Sequence, residues 1–170
     1  MILVLMGVTG SGKTTIGKLL AAETGWRFAD ADDFHSEANK AKMHASIPLT
    51  DEDRMPWLIT LHDLLLGWYE SGISGILGCS ALKQSYRDML TPQIPPVNMR
   101  FILLNVSRPV LEERLKGRRN HYMSPELLQS QLDTLEVTPD LTRVNAEGSP
   151  QKIVQEILDQ LLTVEGKIDV

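Results

Sequence analysis

The stretch that decides the fold is Ile2-Leu3-Val4-Leu5-Met6-Gly7-Val8-Thr9-Gly10-Ser11-Gly12-Lys13-Thr14. Its first part, Ile2–Met6, is an unbroken apolar run that meets glycine at once, which is typical of a central parallel strand. Its second part, residues 7–14, is a complete phosphate-binding loop of the form Gly-x-x-x-x-Gly-Lys-Thr. We predict that a helix follows from Lys13 to about Thr24, where Gly25 is placed to end it.

The loop has the chemistry that a polyphosphate requires. Glycine lets the main chain approach the phosphates closely, successive N–H groups form an anion nest, and the helix adds the positive end of its dipole. We expect Lys13 to reach the β- and γ-phosphates and the Thr14 hydroxyl to bind Mg²⁺. A chance glycine-rich turn would lack this strand and helix on either side. The residues expected to bind ATP are Gly7, Val8, Thr9, Gly10, Ser11, Gly12, Lys13, Thr14 and Thr15.

Other features narrow the class of nucleotide-binding protein. The glycine spacing is not that of a dinucleotide-binding fingerprint. The sequence lacks the Asn-Lys-x-Asp of a switch GTPase, and 170 residues are too few for a typical motor domain. Small-molecule phosphoryl transfer is therefore favoured, and a non-catalytic nucleotide-binding regulator is the alternative from a different class.

The rest of the chain alternates between predicted strands and helices, which indicates a parallel sheet covered on both faces. No element is predicted in the polar segment 33–56, and a helix is expected to start near Pro56, since proline suits a first turn. We predict an α/β fold of three layers, the phosphate-loop kinase fold, with a central parallel five-stranded sheet. The further strands are expected near residues 26–29, 75–79, 99–106 and 141–144, and the further helices near 56–68, 83–90, 109–117, 125–135 and 153–161.

Composition excludes several classes of partner and location. A net charge of -5 without a long basic run argues against sequence-independent binding of nucleic acid. No apolar run approaches membrane-spanning length. The single cysteine, Cys79, allows no intrachain disulfide, which fits a reducing cytosol, and we read it as a small buried hydrophobe. A cytoplasmic protein without a membrane partner is expected.

An acidic cluster follows the second predicted strand. Asp30 and Asp32 are two residues apart, so their side chains would share one side if the strand continued. A kinase needs a carboxylate to orient the accepting hydroxyl and another to support Mg²⁺ or its waters. The alternative is a solvated turn with a helix cap, since Asp favours both.

Several stretches match one family in order along most of the chain. The chain closely resembles the gluconokinases of the small phosphate-loop type, which are relatives of shikimate and nucleoside monophosphate kinases. Departures from the family pattern are Asn120-His121-Tyr122 in place of Gly-His-Phe, Leu132 in place of Phe and Gln84 in place of Lys. Besides the phosphate loop, the matching stretches are Asp-Ala-Asp-Asp-Phe-His at 30–35, Ile-Pro-Leu-Thr-Asp-Glu-Asp-Arg-Met-Pro-Trp-Leu at 47–58, Cys-Ser-Ala-Leu-Lys-Gln-Ser-Tyr-Arg-Asp at 79–88, His-Tyr-Met at 121–123 and Leu-Leu-Gln-Ser-Gln-Leu-Asp-Thr-Leu-Glu at 127–136.

The resemblance implies a single domain over residues 1–170, with a substrate-binding segment near 33–60 and a lid near 117–135. It implies phosphorylation of D-gluconate by ATP to 6-phospho-D-gluconate, with Mg²⁺ held by Thr14 and Asp30, and it allows for a homodimer. A shikimate- or nucleotide-type kinase is the alternative of the same fold. The expected catalytic residues are Lys13, Asp32 and Arg118, and the expected substrate-binding residues are Asp32, His35, Arg54, Lys83, Arg87 and Gln131.

The arginines near the expected lid have two interpretations. Related kinases use arginines there to clamp ATP and stabilise charge on the transferring group. Arg114 is expected to contact ATP, and Arg114 and Arg118 are spaced i,i+4 on one helix face. The alternatives are a solvated helix face or ion pairs with Glu112 or Glu113.

Overall fold

A computed structural model describes residues 1–116 and 125–165, with side chains described as far as residue 162. Within these ranges no helix is both long and apolar enough to cross a membrane. Short 3₁₀ turns occupy Ala31–Phe34 and Pro96–Asn98. The strands and helices are, in chain order, β1 (Ile2–Met6), α1 (Lys13–Thr24), β2 (Arg27–Asp30), α2 (Glu37–His44), α3 (Asp51–Glu70), β3 (Gly75–Gly78), α4 (Gln84–Leu90), β4 (Met99–Asn105), α5 (Arg108–Lys116), α6 (Pro125–Thr134), β5 (Thr142–Asn145) and α7 (Pro150–Glu165).

The sheet has five strands in the order β2-β3-β1-β4-β5, and every adjacent pair is parallel. The predicted α/β fold with a central parallel five-stranded sheet is therefore confirmed. β1 lies in the middle, paired with β3 from Ile2 to Leu5 and with β4 from Ile2 to Met6. All five carboxyl ends lie along one edge, where open α/β sheets bind ligands.

Alternate residues of β1 feed two separate cores, because successive side chains of a strand point to opposite faces. Ile2, Val4 and Met6 pack with apolar residues of α3 and α4 on one face. Leu3 and Leu5 pack with apolar residues of α1 and α7 on the other. Trp68 is 6% exposed within the first of these cores. The predicted leucine and tryptophan stripe of α3 is thus buried in the protein interior.

The segment between β2 and α3 differs from the prediction. α3 begins at Asp51, five residues before the expected start, and Pro56 lies inside it. The reason is a capping box: the Thr50 hydroxyl accepts from the Asp53 N–H, and the Asp53 carboxylate accepts from the Thr50 N–H. α2 was not predicted at all; it is a polar helix that Ser36 caps by accepting from the Asn39 N–H.

Arg87 forms an extensive set of hydrogen bonds inside the protein, and its expected role in substrate binding stays a prediction. Its side chain is 1% exposed, although it carries a guanidinium. Nη1 donates to the carbonyls of Ala81 and Leu82, and Nε donates to the Gln84 amide oxygen. Nη2 donates to that same oxygen and to Glu136 O and Thr138 Oγ1. Each nitrogen has at least as many acceptors as hydrogens, so these internal contacts can use all of its donors.

Arg87→Met should therefore lower the free energy of unfolding by about 3 kcal/mol or more, because it leaves several buried carbonyls unpaired at about 1–3 kcal/mol each. Urea unfolding of the purified variant measures this loss. Arg143→Met is the matched control, since Arg143 is exposed on β5, and it should change stability by less than about 0.5 kcal/mol. An Arg87→Met protein as stable as the wild type, with weakened substrate binding, would favour the expected role in substrate binding instead.

Candidate active site

The phosphate-binding loop joins β1 to α1 in the expected way. Gly12, the N-cap of α1, has φ 102°, a left-handed conformation that favours glycine. A Cβ on Gly7 would lie 2.8 Å from Ser11 Oγ, so that position is also restricted. Lys13 Nζ donates to the carbonyls of Gly7 at 2.9 Å and Val8 at 3.1 Å. The ammonium group is thus folded over the loop in which phosphates would lie.

Thr14 and Asp30 come together across the ends of β1 and β2. Thr14 Oγ1 donates to Asp30 Oδ2 at 2.6 Å. The other oxygen of Asp30 accepts from the Asp32 N–H at 3.1 Å and caps the 3₁₀ turn. β2 ends at Asp30, so the two aspartates do not alternate along a strand as expected. Asp30 does serve as the turn's cap, and it also meets the Thr14 hydroxyl at the loop.

This oxygen pair fits a magnesium ion. Mg²⁺ prefers hard oxygen ligands, keeps several waters and is usually bound by one or two carboxylates with substrate phosphates. Among the described residues there is no cluster of three or more acidic, histidine or cysteine side chains that would form an all-protein cage. One hydroxyl and one carboxylate beside a phosphate loop match the partly hydrated binding mode.

The thiol of Cys79 lies just beyond β3, beneath this charged edge. Burial, with smaller contributions from the charges of Asp32 and Asp30, raises the pKa of Cys79 to about 12. A backbone hydrogen bond with Ala81 and the positive charge of Lys13 partly oppose that increase. The thiol therefore stays protonated, which confirms that Cys79 is a buried hydrophobe. These interactions also show that Lys13, Asp30 and Asp32 share one neighbourhood.

His35 is 7% exposed and packs against the start of α3. Its ring stacks on Trp57 with centroids 4.2 Å apart, and the Trp57 indole N–H donates to Ala31 O at 2.7 Å. Asn39 Nδ2 donates to Asp53 O at 2.8 Å and lies 3.4 Å from His35 Nδ1. Because a carbonyl can only accept, the amide orientation is fixed and Nδ1 is the acceptor. The proton of the neutral imidazole then lies on Nε2, which can donate to a ligand.

Two cations lie over one aromatic ring near the start of α4. Arg54 Cζ lies 5.5 Å from the centroid of the Tyr86 ring, and Lys83 Nζ lies 5.3 Å from it. Arg54 Nε is buried without a hydrogen-bond partner in the described part of the chain. Lys83 Nζ forms an ion pair with Asp51 at 3.1 Å. The structure thus brings together two residues expected to bind an anionic substrate.

The remaining predicted site residues have other contacts. Gln131 holds the phosphate loop: its Oε1 accepts from the Thr9 N–H at 2.8 Å, and its Nε2 donates to Thr9 Oγ1. α6 packs on the loop through Leu128 and Val8, and the expected contact of Gln131 with substrate stays a prediction. Arg114 also lies at the loop but donates to the carbonyls of Gly10, Ser11 and Ala146.

Two further arginines complete the comparison with the predicted clamp. Arg108 forms an ion pair with Glu112 at 2.8 Å. Arg118, expected to be catalytic, lies outside the described residues, as do residues 117–124 of the expected lid. Thr15 is exposed on the first turn of α1.

Sequence reasoning missed four residues that shape this site. Trp57, Asp51 and Tyr86 lie in stretches that matched the family, and that match was the only available signal for them. Asn39 gave no signal, because it belongs to a helix that periodicity did not reveal.

Acid should destabilise the protein through His35. Burial, together with the positive charges of Arg54 and Lys40, lowers the pKa of His35 from 6.5 to about 4. Between these values the unfolded chain binds more protons, so stability rises with pH, is complete above about 6.5 and is lost as pH falls towards 4. Relative to His35→Gln, the wild type should lose about 3 kcal/mol of unfolding free energy over this range, measured by urea unfolding.

His44→Gln removes an exposed imidazole and should keep the wild-type pH dependence. Identical pH dependence in wild type and His35→Gln would contradict the assignment of a buried neutral imidazole.

Comparisons of the sequence and the fold with known proteins identify the family of this chain. A family model for shikimate kinase matches residues 9–162. A probable gluconokinase of Dictyostelium discoideum is 43% identical over 95% of this chain and 86% of its own length. A gluconokinase of Gluconobacter oxydans is 43% identical over 92% of this chain and 88% of its own. The crystal structure of a gluconokinase from Sinorhizobium meliloti superposes with a TM-score of 0.87 at 38% identity, covering 98% of this chain and 94% of that one. On these identities and coverages, the chain belongs to the gluconokinase family, within the wider group that the shikimate kinase model describes.

Proposed function

We propose that this chain transfers the γ-phosphoryl group of ATP to the 6-hydroxyl of D-gluconate, giving 6-phospho-D-gluconate and ADP. One observation carries the proposal: a phosphate loop, a carboxylate pair and a two-cation cluster lie at the carboxyl ends of β1, β2 and β3. The relatives named gluconokinases match nearly the whole chain. A shikimate- or nucleotide-type kinase, or a regulator without turnover, would not require this combination.

At the phosphate end, Lys13 and the loop amides neutralise the β- and γ-phosphates. Thr14 and Asp30 hold Mg²⁺, which supplies further charge stabilisation when bound. Lys13 Nζ already lies at the loop, where it donates to the carbonyls of Gly7 and Val8. Phosphoryl transfer depends chiefly on positioning and charge stabilisation, and both are provided here.

At the acceptor end, Asp32 orients the 6-hydroxyl and takes its proton as the new P–O bond forms and the bond to the β-phosphate bridge breaks. His35 Nε2 donates to a substrate hydroxyl, with Trp57 and Asn39 fixing the ring. Arg54 and Lys83 bind the carboxylate of gluconate. Arg87 acts indirectly, by holding the backbone of residues 81–84 from which Lys83 projects.

Other parts of the assignment are also proposals. Residues near 33–60 form the substrate-binding segment of a single domain, and the lid near 117–135 with a catalytic Arg118 stays a prediction. Arg114 supports ATP binding through its hold on the loop carbonyls. We place the reaction in the cytoplasm, where it would serve gluconate utilisation; a homodimer stays a prediction.

A coupled assay of ADP release tests the proposal with gluconate, shikimate and nucleoside monophosphates as acceptors. We expect turnover with gluconate and little with the others. Lys13→Ala should lower the rate about 10²–10³-fold, because it removes a charge-assisted contact to the transferring group. Lys18→Ala, an exposed lysine on the same helix, is the control and should keep the wild-type rate. A Lys13→Ala enzyme with normal turnover would refute the loop assignment.

The two aspartates should respond differently to neutralisation. Asp32→Asn should lower turnover with gluconate about 10²-fold or more while ATP binding stays near normal, since the base for the hydroxyl is lost. Asp30→Asn should raise the Mg²⁺ concentration needed for half-maximal rate. Steady-state kinetics across Mg²⁺ concentrations separate the two effects. Asp33→Asn, at an exposed neighbouring position, is the control. Full activity with unchanged Mg²⁺ dependence in all three variants would mean that these aspartates form only a turn and take no part in the reaction.

A further inference from the structure

We infer that Asp51 is a specificity residue whose carboxylate is a built-in counter-ion, reducing the charge of the Arg54–Lys83 site to +1 so that it selects a monoanionic sugar acid over dianionic ligands. The inference rests on the proposed function, because it assumes that Arg54 and Lys83 receive the carboxylate of the substrate.

The contacts of Asp51 run across the site rather than along its own helix. Tyr86 Oη donates to Asp51 Oδ1 at 2.5 Å, and Lys83 Nζ donates to the two carboxylate oxygens at 3.1 and 3.2 Å. These partners lie 32 and 35 residues further along the chain. Asp51 therefore occupies one side of Lys83 with the same chemical group that the substrate would present.

The position of Asp51 at the start of α3 does not explain these contacts. Acidic residues are stabilising in a first turn, but Asp53 already closes the capping box with Thr50 and pairs with Lys42 at 2.8 Å. Glu52 adds a further acidic group to the same turn. The first turn of α3 therefore has two other acidic residues, Glu52 and Asp53, and Asp51 contacts Lys83 and Tyr86 instead.

A charge count shows what Asp51 changes. Arg54 and Lys83 contribute two positive charges, and Asp51 subtracts one, which leaves +1. His35 is neutral at pH 7, since its pKa is lowered to about 4. The buried guanidinium of Arg87 interacts with Asp140, Glu136 and Asp88 on its own side. Arg54 Nε is buried and has no hydrogen-bond partner among the described residues, so this guanidinium keeps one donor that those residues do not use.

Matching of charge then gives selectivity. A monoanion neutralises a site of charge +1, whereas a dianion leaves an excess negative charge beside Asp51. Without Asp51 the site would have charge +2 and would favour dianions. A neutral polyol would be indifferent to the change, because Coulomb energy scales with ligand charge.

The test compares Asp51→Asn with the wild type by isothermal titration calorimetry of the full chain. The ligands are D-glucitol, D-gluconate and D-glucarate, which carry charges of zero, one and two. The variant should bind gluconate about 3–10-fold more tightly and glucarate by a larger factor, with glucitol changed by less than about 2-fold. An increase of at least about 3-fold in the glucarate-to-gluconate affinity ratio supports the counter-ion.

Two variants serve as controls. Glu52→Gln removes the same charge from the next, exposed position and should leave the affinity ratio unchanged, and Asp51→Glu keeps the charge and should retain wild-type selectivity. An equal change for all three ligands, or weaker gluconate binding in Asp51→Asn, would overturn the inference and indicate a structural or hydroxyl-binding role. Turnover of gluconate by the wild type tests the proposed function separately. Turnover with an unchanged affinity ratio defeats only the counter-ion, whereas a wild type that neither binds nor phosphorylates gluconate defeats both.

Discussion

The parallel pairing of β1 with β3 on one side and β4 on the other is the constraint on which the site depends. Because both neighbours run in the same direction, their carboxyl ends must meet at one edge of the sheet. The phosphate loop leaves β1 there, Asp30 ends β2 there, and Cys79 follows β3 there. The apolar alternation of β1 secures this arrangement, since its side chains are needed in both cores.

Around that edge, hydrogen bonds from neighbouring segments hold the reactive groups in place. Gln131 holds Thr9 of the loop, and Arg87 ties residues 81–84 to Glu136. The first contact joins α6 to the loop after β1, and the second joins the segment just after α6 to the region that follows β3. These internal hydrogen bonds fix the position of the phosphate loop and of the segment that carries Lys83, and precise positioning is what phosphoryl transfer requires.

Burial assigns the protonation states of the site. It keeps the Cys79 thiol protonated and the His35 imidazole neutral, because a charged form would lose hydration without an adequate partner. The charge that remains near neutral pH is carried by groups at the sheet edge, including Lys13, Asp32 and the Arg54–Lys83–Asp51 cluster. The neutral His35 can then donate a hydrogen bond close to cations without adding to their charge.

The sequence by itself determined the phosphate loop, the order of strands and helices and the parallel sheet, because each depends on neighbouring residues: a contiguous motif, an apolar run or a helical repeat. The start of α3 was misplaced since Pro56 outweighed the Thr50–Asp53 capping box, and α2 was missed since it has little apolar periodicity. The contacts of Arg54, Lys83 and Arg87 were decided only by the tertiary structure. All three are cations in matched stretches, but Arg87 meets carbonyl and hydroxyl groups 49 and 51 residues away, whereas Arg54 Nε has no hydrogen-bond partner within residues 1–116 and 125–165. Whether a buried cation serves the protein or a ligand depends on which acceptors long-range packing places beside it, and no local pattern contains that information.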